Sequence, residues 1–150
     1  MSLSLQQKRL GEIYNLLISD LGYIYGDRET GPNGKKKEFL TKSAAFLRQL
    51  GKDLGFTEMR VNKNPAGIAV SGEVSLYGMW GGDNGIFIEI CQFTYTLSGD
   101  LLYREIKSLK DYTGGQNQWL PSEVIRGMQY SRLCDILLKL KQNGDRRNAA

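Results

Sequence analysis

A chain of 150 residues with 41% hydrophobic and 24% charged residues, a net charge of +4 and no histidine has the size of one cored domain, since such a chain buries roughly 68–70% of the surface its unfolded form exposes. The missing imidazole excludes Ser-His-Asp and Cys-His nucleophile activation and His-ligated zinc, and with them most familiar hydrolase mechanisms. The longest apolar runs, "NLLIS" and "IFIEI", are far short of the roughly 18 residues that a bilayer span requires.

The N-terminal stretch "MSLSLQQKRLGEIY" has no apolar h-region after a basic start, so a cytoplasmic protein with no membrane partner is expected. Ser4 followed by Gln7 fits a capping box, and Leu10, Ile13, Tyr14, Leu17 and Leu21 recur at helical spacing, which predicts a first helix over about 4 to 21. The polar segment "GDRETGPNGKKKEF" then predicts a loop. A second helix is predicted over about 36 to 54, with Leu40, Ala44, Leu47 and Leu54 on one face and Gly55 as its terminator.

From Phe56 the period changes to two. "FTEMRVNK" and "GIAVSGEVSLYGMW" alternate, with Val70, Val74, Leu76 and Trp80 on one side and Ser71, Glu73, Ser75 and Tyr77 on the other. "GGDNG" reads as a hairpin turn. "IFIEICQF" and "DLLYREI", joined across "LSGD", complete four predicted strands. Short connections leave no room for crossover helices, so the strands form an antiparallel meander.

A last helix is predicted from near Pro121 and Ser122 to about Gln142, on the stripe Tyr130, Leu133, Ile136, Leu137 and Leu140, with Gly127 interrupting it and "NGDRRNAA" as a frayed basic tail at about 143–150. The expected fold is a single α+β domain over 1–150: a four-stranded antiparallel meander sheet, with two N-terminal helices and one C-terminal helix packed on one face. The other face of the sheet is expected to be polar.

Chemistry-bearing features are few. Cys91 and Cys134 form no CxxC and read as two reduced, mostly buried thiols. Neither a metal site nor a cofactor is implied. "GDRETGP" has the glycine spacing of a phosphate-binding loop, but Pro32 stands where lysine is required; Lys35, Lys36 and Lys37 read as a solvated run. Asp100, Glu105 and Asp111 are the remaining catalytic option, and nothing in the sequence fixes any two of them at working distance.

Two glycine-rich stretches contain the tryptophans. In "SLKDYTGGQNQWLP", Trp119 either anchors a loop to the core or stacks on a base while its amide neighbours read an edge. In "MWGGDNG", Trp80 reads chiefly as hairpin structure.

Net charge is unevenly placed. Residues 126–150 hold six basic side chains, Arg126, Arg132, Lys139, Lys141, Arg146 and Arg147, against two acids, so the rest of the chain is neutral. Such a cluster draws phosphate backbones or an acidic surface; it also complements a helix C-terminus. The leading expectation is therefore a non-catalytic binding module for nucleic acid or a nucleoprotein complex, using these six residues with Trp119, Lys107 and Lys110. The alternative is a regulatory domain that docks a protein partner through the exposed sheet face, including Tyr77 and Met79.

Overall fold

The computed structural model describes residues 2–19, 35–64, 73–92, 99–121, 124–125 and 127–149. Helices α1 (Ser2–Ser19) and α2 (Lys35–Leu54) precede strands β1 (Glu58–Asn64), β2 (Glu73–Gly81), β3 (Asn84–Gln92), β4 (Gly99–Ile106) and β5 (Gln118–Pro121), and helix α3 (Tyr130–Ala149) follows. The strands form one antiparallel sheet in the order β1-β2-β3-β4-β5. This is the expected α+β meander with one strand more than predicted. The addition, β5, has four residues, too few for alternation to register. Its Pro121 has no N–H to give and is tolerated because the strand lies at the sheet edge.

Alternation along the strands puts Val74, Leu76, Ile86, Ile88, Ile90, Leu101 and Tyr103 on one face, where they are buried with Leu10 and Ile13 of α1, Phe46, Leu47 and Leu50 of α2, and Leu133, Leu137 and Leu140 of α3. Each fully buried aliphatic side chain contributes about 1.5–3 kcal/mol relative to exposure. All three helices therefore pack on this face. The end of α2 is closed at the predicted terminator, where the Gly55 and Phe56 N–H groups donate to the Lys52 and Gly51 carbonyls at 3.1 and 3.2 Å. Between helices, Lys42 donates to Glu12 at 3.0 Å and holds that carboxyl below its ordinary range. The predicted loop between α1 and α2 lies mostly outside the described residues, as does Leu21.

Helix boundaries differ from expectation at three places. Ser4 lies inside α1, and Gln7 caps a different helix from the one predicted: it accepts the Tyr130 N–H at the start of α3 and donates to the Met128 carbonyl. Helix α3 begins at Tyr130, not near Pro121, because Pro121 is held in the sheet as the partner of Asp100. At its other end α3 does not fray at 143 but runs to Ala149.

The last turns are fastened from outside the helix. Asn84, at the start of β3, donates to the Lys141 carbonyl at 3.1 Å and to Asp145 at 2.9 Å. Arg147 donates to Glu105 at 2.8 Å. A Cβ at Gly144 would stand 2.2 Å from the Asn84 side-chain oxygen, so the bare glycine lets the helix close on the hairpin. Replacing Asn84 with alanine is expected to cost about 1–2 kcal/mol, two net hydrogen bonds' worth. It should also speed amide exchange over 141–149, which hydrogen-exchange measurements will read; unchanged exchange there would show that the helix end needs no such fastening.

The opposite face is not polar. Tyr77, Met79, Phe87, Leu102 and Ile106 form a second buried cluster there, with Leu109 against it. Their cover is the loop 107–117 between β4 and β5. Among the described residues no helix is long and apolar enough to cross a membrane.

Candidate functional site

Directly paired residues of antiparallel strands project from the same face, so the register assembles two rows across the outer side of the sheet. One runs Arg60, Tyr77, Phe87, Arg104; the next runs Ser75, Glu89, Leu102, Trp119. The Tyr77 and Phe87 rings lie 4.7 Å apart at 54°. A guanidinium stands over each of them, Arg60 at 4.7 Å from the Tyr77 centroid and Arg104 at 4.8 Å from that of Phe87. Contacts of this kind are worth about 0.5–2 kcal/mol, more as water is excluded.

The same two arginines hold the loop. Arg60 donates to the Leu109 carbonyl at 3.1 Å, and Arg104 donates to Gly114 and Asp111 carbonyls at 2.7 and 2.9 Å. Arg104 is buried, a position a cation tolerates only when its donors are used. Asp111 turns the loop from within, accepting the N–H groups of Lys107 at 3.0 Å and Gly114 at 2.7 Å. The Lys107 bond is the chief reason its carboxyl lies below the ordinary range. Gly115 follows at φ +76°, against the backbone of Glu105.

Tyr112 projects from this loop with its ring 61% exposed, edge-on to Tyr77 at 5.9 Å and 86°. Between loop and sheet lies a cleft of about 560 Å³, lined by Tyr77, Phe87, Glu89, Leu102, Arg104 and Tyr112 together with residues 113–117. Burial pushes the Tyr77 hydroxyl above its usual pKa. The cleft thus offers aromatic faces, one carboxylate and two carboxamides, with the arginine donors turned toward the loop.

The residues singled out from the sequence fall into separate groups. Trp119 is 46% exposed and is the β5 partner of Leu102, a residue of the cleft wall. Lys107 and Lys110 are exposed on the covering loop. Arg132, Lys139 and Arg146 are exposed on α3 at intervals of seven residues, close to two helical turns, and so form one stripe. That stripe lies on the helical side of the sheet, away from Trp119.

Lys141 pairs with Asp145 at 3.2 Å and Arg147 with Glu105 at 2.8 Å, so two of the six basic residues are partly neutralised by neighbours. Arg147 and Lys107 nevertheless meet around a second hollow of about 670 Å³ that also includes Glu105 and Asp111. The C-terminal end of α3 is therefore continuous with the covering loop. Arg126 lies outside the described residues.

Tyr77 and Met79 do not form an exposed docking face. They are 7% and 4% accessible, because the loop 107–117 is drawn over them by Arg60 and Arg104. Trp80 belongs to the core: it packs on Phe56 at 4.9 Å and donates its indole N–H to the Leu54 carbonyl at 2.8 Å. Cys134 carries a free, half-buried thiol whose pKa is raised by burial. Among the described residues no group of three or more His, Cys, Asp or Glu could hold a metal ion.

Arg60, Phe87, Glu89, Arg104 and Tyr112 were not singled out from the sequence. The available signal was apolar residues on both parities of one sheet: Phe87 between isoleucines and Leu102 beside Leu101 require a cover on each side. No protein family, curated protein or solved structure matches the chain.

Proposed function

We propose that this chain is a non-catalytic binding module that holds single-stranded nucleic acid against the outer face of its sheet. The observation that carries this reading is the pair of exposed rings on one sheet face, Tyr112 in the cleft and Trp119 on the edge strand beside Leu102 of its wall. Unpaired bases stack on such rings for about 1–3 kcal/mol each, whatever their sequence. A paired duplex keeps its base faces covered, so single strands are the better fit.

The phosphate backbone needs cations beside the rings. Lys107 and Lys110 lie in the same loop as Tyr112, and Arg147 continues the path from Lys107 onto the end of α3. The net charge of +4 favours encounter with a polyanion. Arg132 and Lys139 would add a weaker, sequence-independent attraction on the far side.

Binding of labelled single- and double-stranded DNA and RNA, followed by fluorescence anisotropy from about 50 to about 200 mM salt, tests this. Single strands are expected to bind more tightly than duplexes, with the logarithm of affinity falling linearly against the logarithm of salt. Replacing both Lys107 and Lys110 with alanine should shallow the slope by about 1.4, since each neutralised phosphate of a single strand contributes about 0.7. A duplex preference, or a slope that the double variant leaves untouched, would remove this loop from the interface.

A further inference from the structure

Resting on that reading, we infer that the cleft between the loop 111–117 and the sheet is a base pocket selective for guanine, with Glu89 accepting hydrogen bonds from the base's Watson–Crick edge. Glu89 lies on β3, near the middle of the sheet, facing Leu102 across the register. It is half-buried in the cleft wall beside Tyr77, Phe87 and Tyr112.

An ionised carboxylate only accepts, and it has about four lone-pair positions. Glu89 has a partner within the protein, and a carboxylate so engaged accepts further hydrogen bonds at its remaining lone-pair positions. Arg104 lines the same cleft, but its two terminal nitrogens are engaged with the Asp111 and Gly114 carbonyls. The edge-reading group of the cleft is thus an acceptor, while the arginine offsets its charge without presenting those donors to a ligand.

Of the common bases, guanine alone has two adjacent N–H donors, N1–H and the N2 amino group, on its Watson–Crick edge. Adenine and cytosine place one amino donor beside an acceptor ring nitrogen, and uracil or thymine places one N–H between two carbonyls. Facing a carboxylate, each of these sets acceptor against acceptor, leaving a buried polar atom unpaired at a cost of about 1–3 kcal/mol. Guanine also carries O6 next to N1–H, and the carboxamides of Gln116 and Asn117 line the cleft as donors for it. The exposed Tyr112 ring supplies a stacking face, and about 560 Å³ lies within the roughly 300–1,000 Å³ typical of small-molecule pockets.

The test uses single-stranded oligonucleotides that differ only at one central base in an otherwise uniform pyrimidine background, bound to the whole protein at fixed salt. The guanine strand is expected to bind about tenfold or more tightly than the other three, the factor that corresponds to about 1.4 kcal/mol. Glu89→Gln, nearly isosteric, presents one acceptor and one donor, which matches an edge of each of the four bases, and should abolish the guanine preference while leaving the urea midpoint close to that of the parent. Tyr112→Ala should weaken all four strands alike. Equal affinity for the four bases, or a guanine preference that survives Glu89→Gln, overturns the pocket and leaves the single-strand reading standing; no binding of any strand overturns both.

Discussion

Replacing Tyr130 with alanine is expected to destabilise the protein by about 3–5 kcal/mol, the usual range for removing a buried aromatic side chain. Its ring is buried edge-on against Phe46 at 5.8 Å and 76°. Its hydroxyl donates to Asp53 at 2.6 Å and accepts from Gln6 at 3.3 Å, while Gln6, itself fully buried, donates to the Phe46 carbonyl at 3.0 Å. One side chain of α3 thereby joins α1 and α2. Burial, then the bond to Asp53, raises the phenol's pKa far above the ordinary value, so it remains a neutral donor throughout the usable pH range.

Against a typical total stability of about 5–15 kcal/mol, such a loss is a large fraction. Urea unfolding should show a lowered midpoint with an unchanged slope. Tyr130→Phe keeps the ring and should cost only about 1–2 kcal/mol, because Asp53 is exposed and water can replace the lost partner. An alanine variant that lost less than about 1 kcal/mol would show that this junction does not fasten the three helices.

Replacing Gly115 with alanine should cost about 2–5 kcal/mol and lower nucleic-acid affinity at least tenfold. At φ +76° an L-residue is disfavoured by about 1–2 kcal/mol. An added Cβ would also stand 2.3 Å from the carbonyl oxygen of Glu105, which is backbone of β4 and has no rotamer to escape through. Overpacking of this kind adds about 1–3 kcal/mol.

The loop would lift, and Arg104 would lose the Gly114 carbonyl while the cluster around Tyr77 and Phe87 lost its cover. Gly127, whose Cβ would meet nothing within 4 Å, is the matched control and should tolerate alanine with both properties kept. If Gly115→Ala bound nucleic acid as the parent does, the loop would have no part in recognition.

These two sites differ in how far the sequence disclosed them. Tyr130 was visible as one position of an apolar helical stripe, since burial at a spacing of three or four is a local signal. Its partners were not visible, because Gln6 and Asp53 meet it only after three helices have packed. Gly114 and Gly115 were legible as residues free to adopt positive φ, yet the contact that makes Gly115 necessary depends on where β5 pairs.

Strands β1 to β4 followed from alternation; β5 did not, because a four-residue edge strand is specified by its neighbour's hydrogen bonds and not by its own pattern. The C-terminal segment looked frayed for a similar reason. Asn143, Gly144 and Asp145 are poor helix formers locally, and the Asn84 side chain that holds them comes from a distant hairpin. Glu73 and Ser75, which begin the strand face of Tyr77 and Met79, point to an exposed face; the cover arrives later in the chain. Lys107, Lys110 and Trp119 were recognisable as candidates from residue type alone, whereas Glu89 and Arg104 gained meaning only from the register of β3 with β4.

The contact face is tested most directly by following the protein's two indole N–H signals by heteronuclear NMR while a single-stranded oligonucleotide is added. The Trp119 signal and the amides of residues 112–117 should shift together and saturate together, while Trp80, whose indole N–H is already given to Leu54, should stay in place. A silent Trp119, with the shifts confined to α1, α2 or the stripe of Arg132 and Lys139, would contradict binding at the outer face of the sheet.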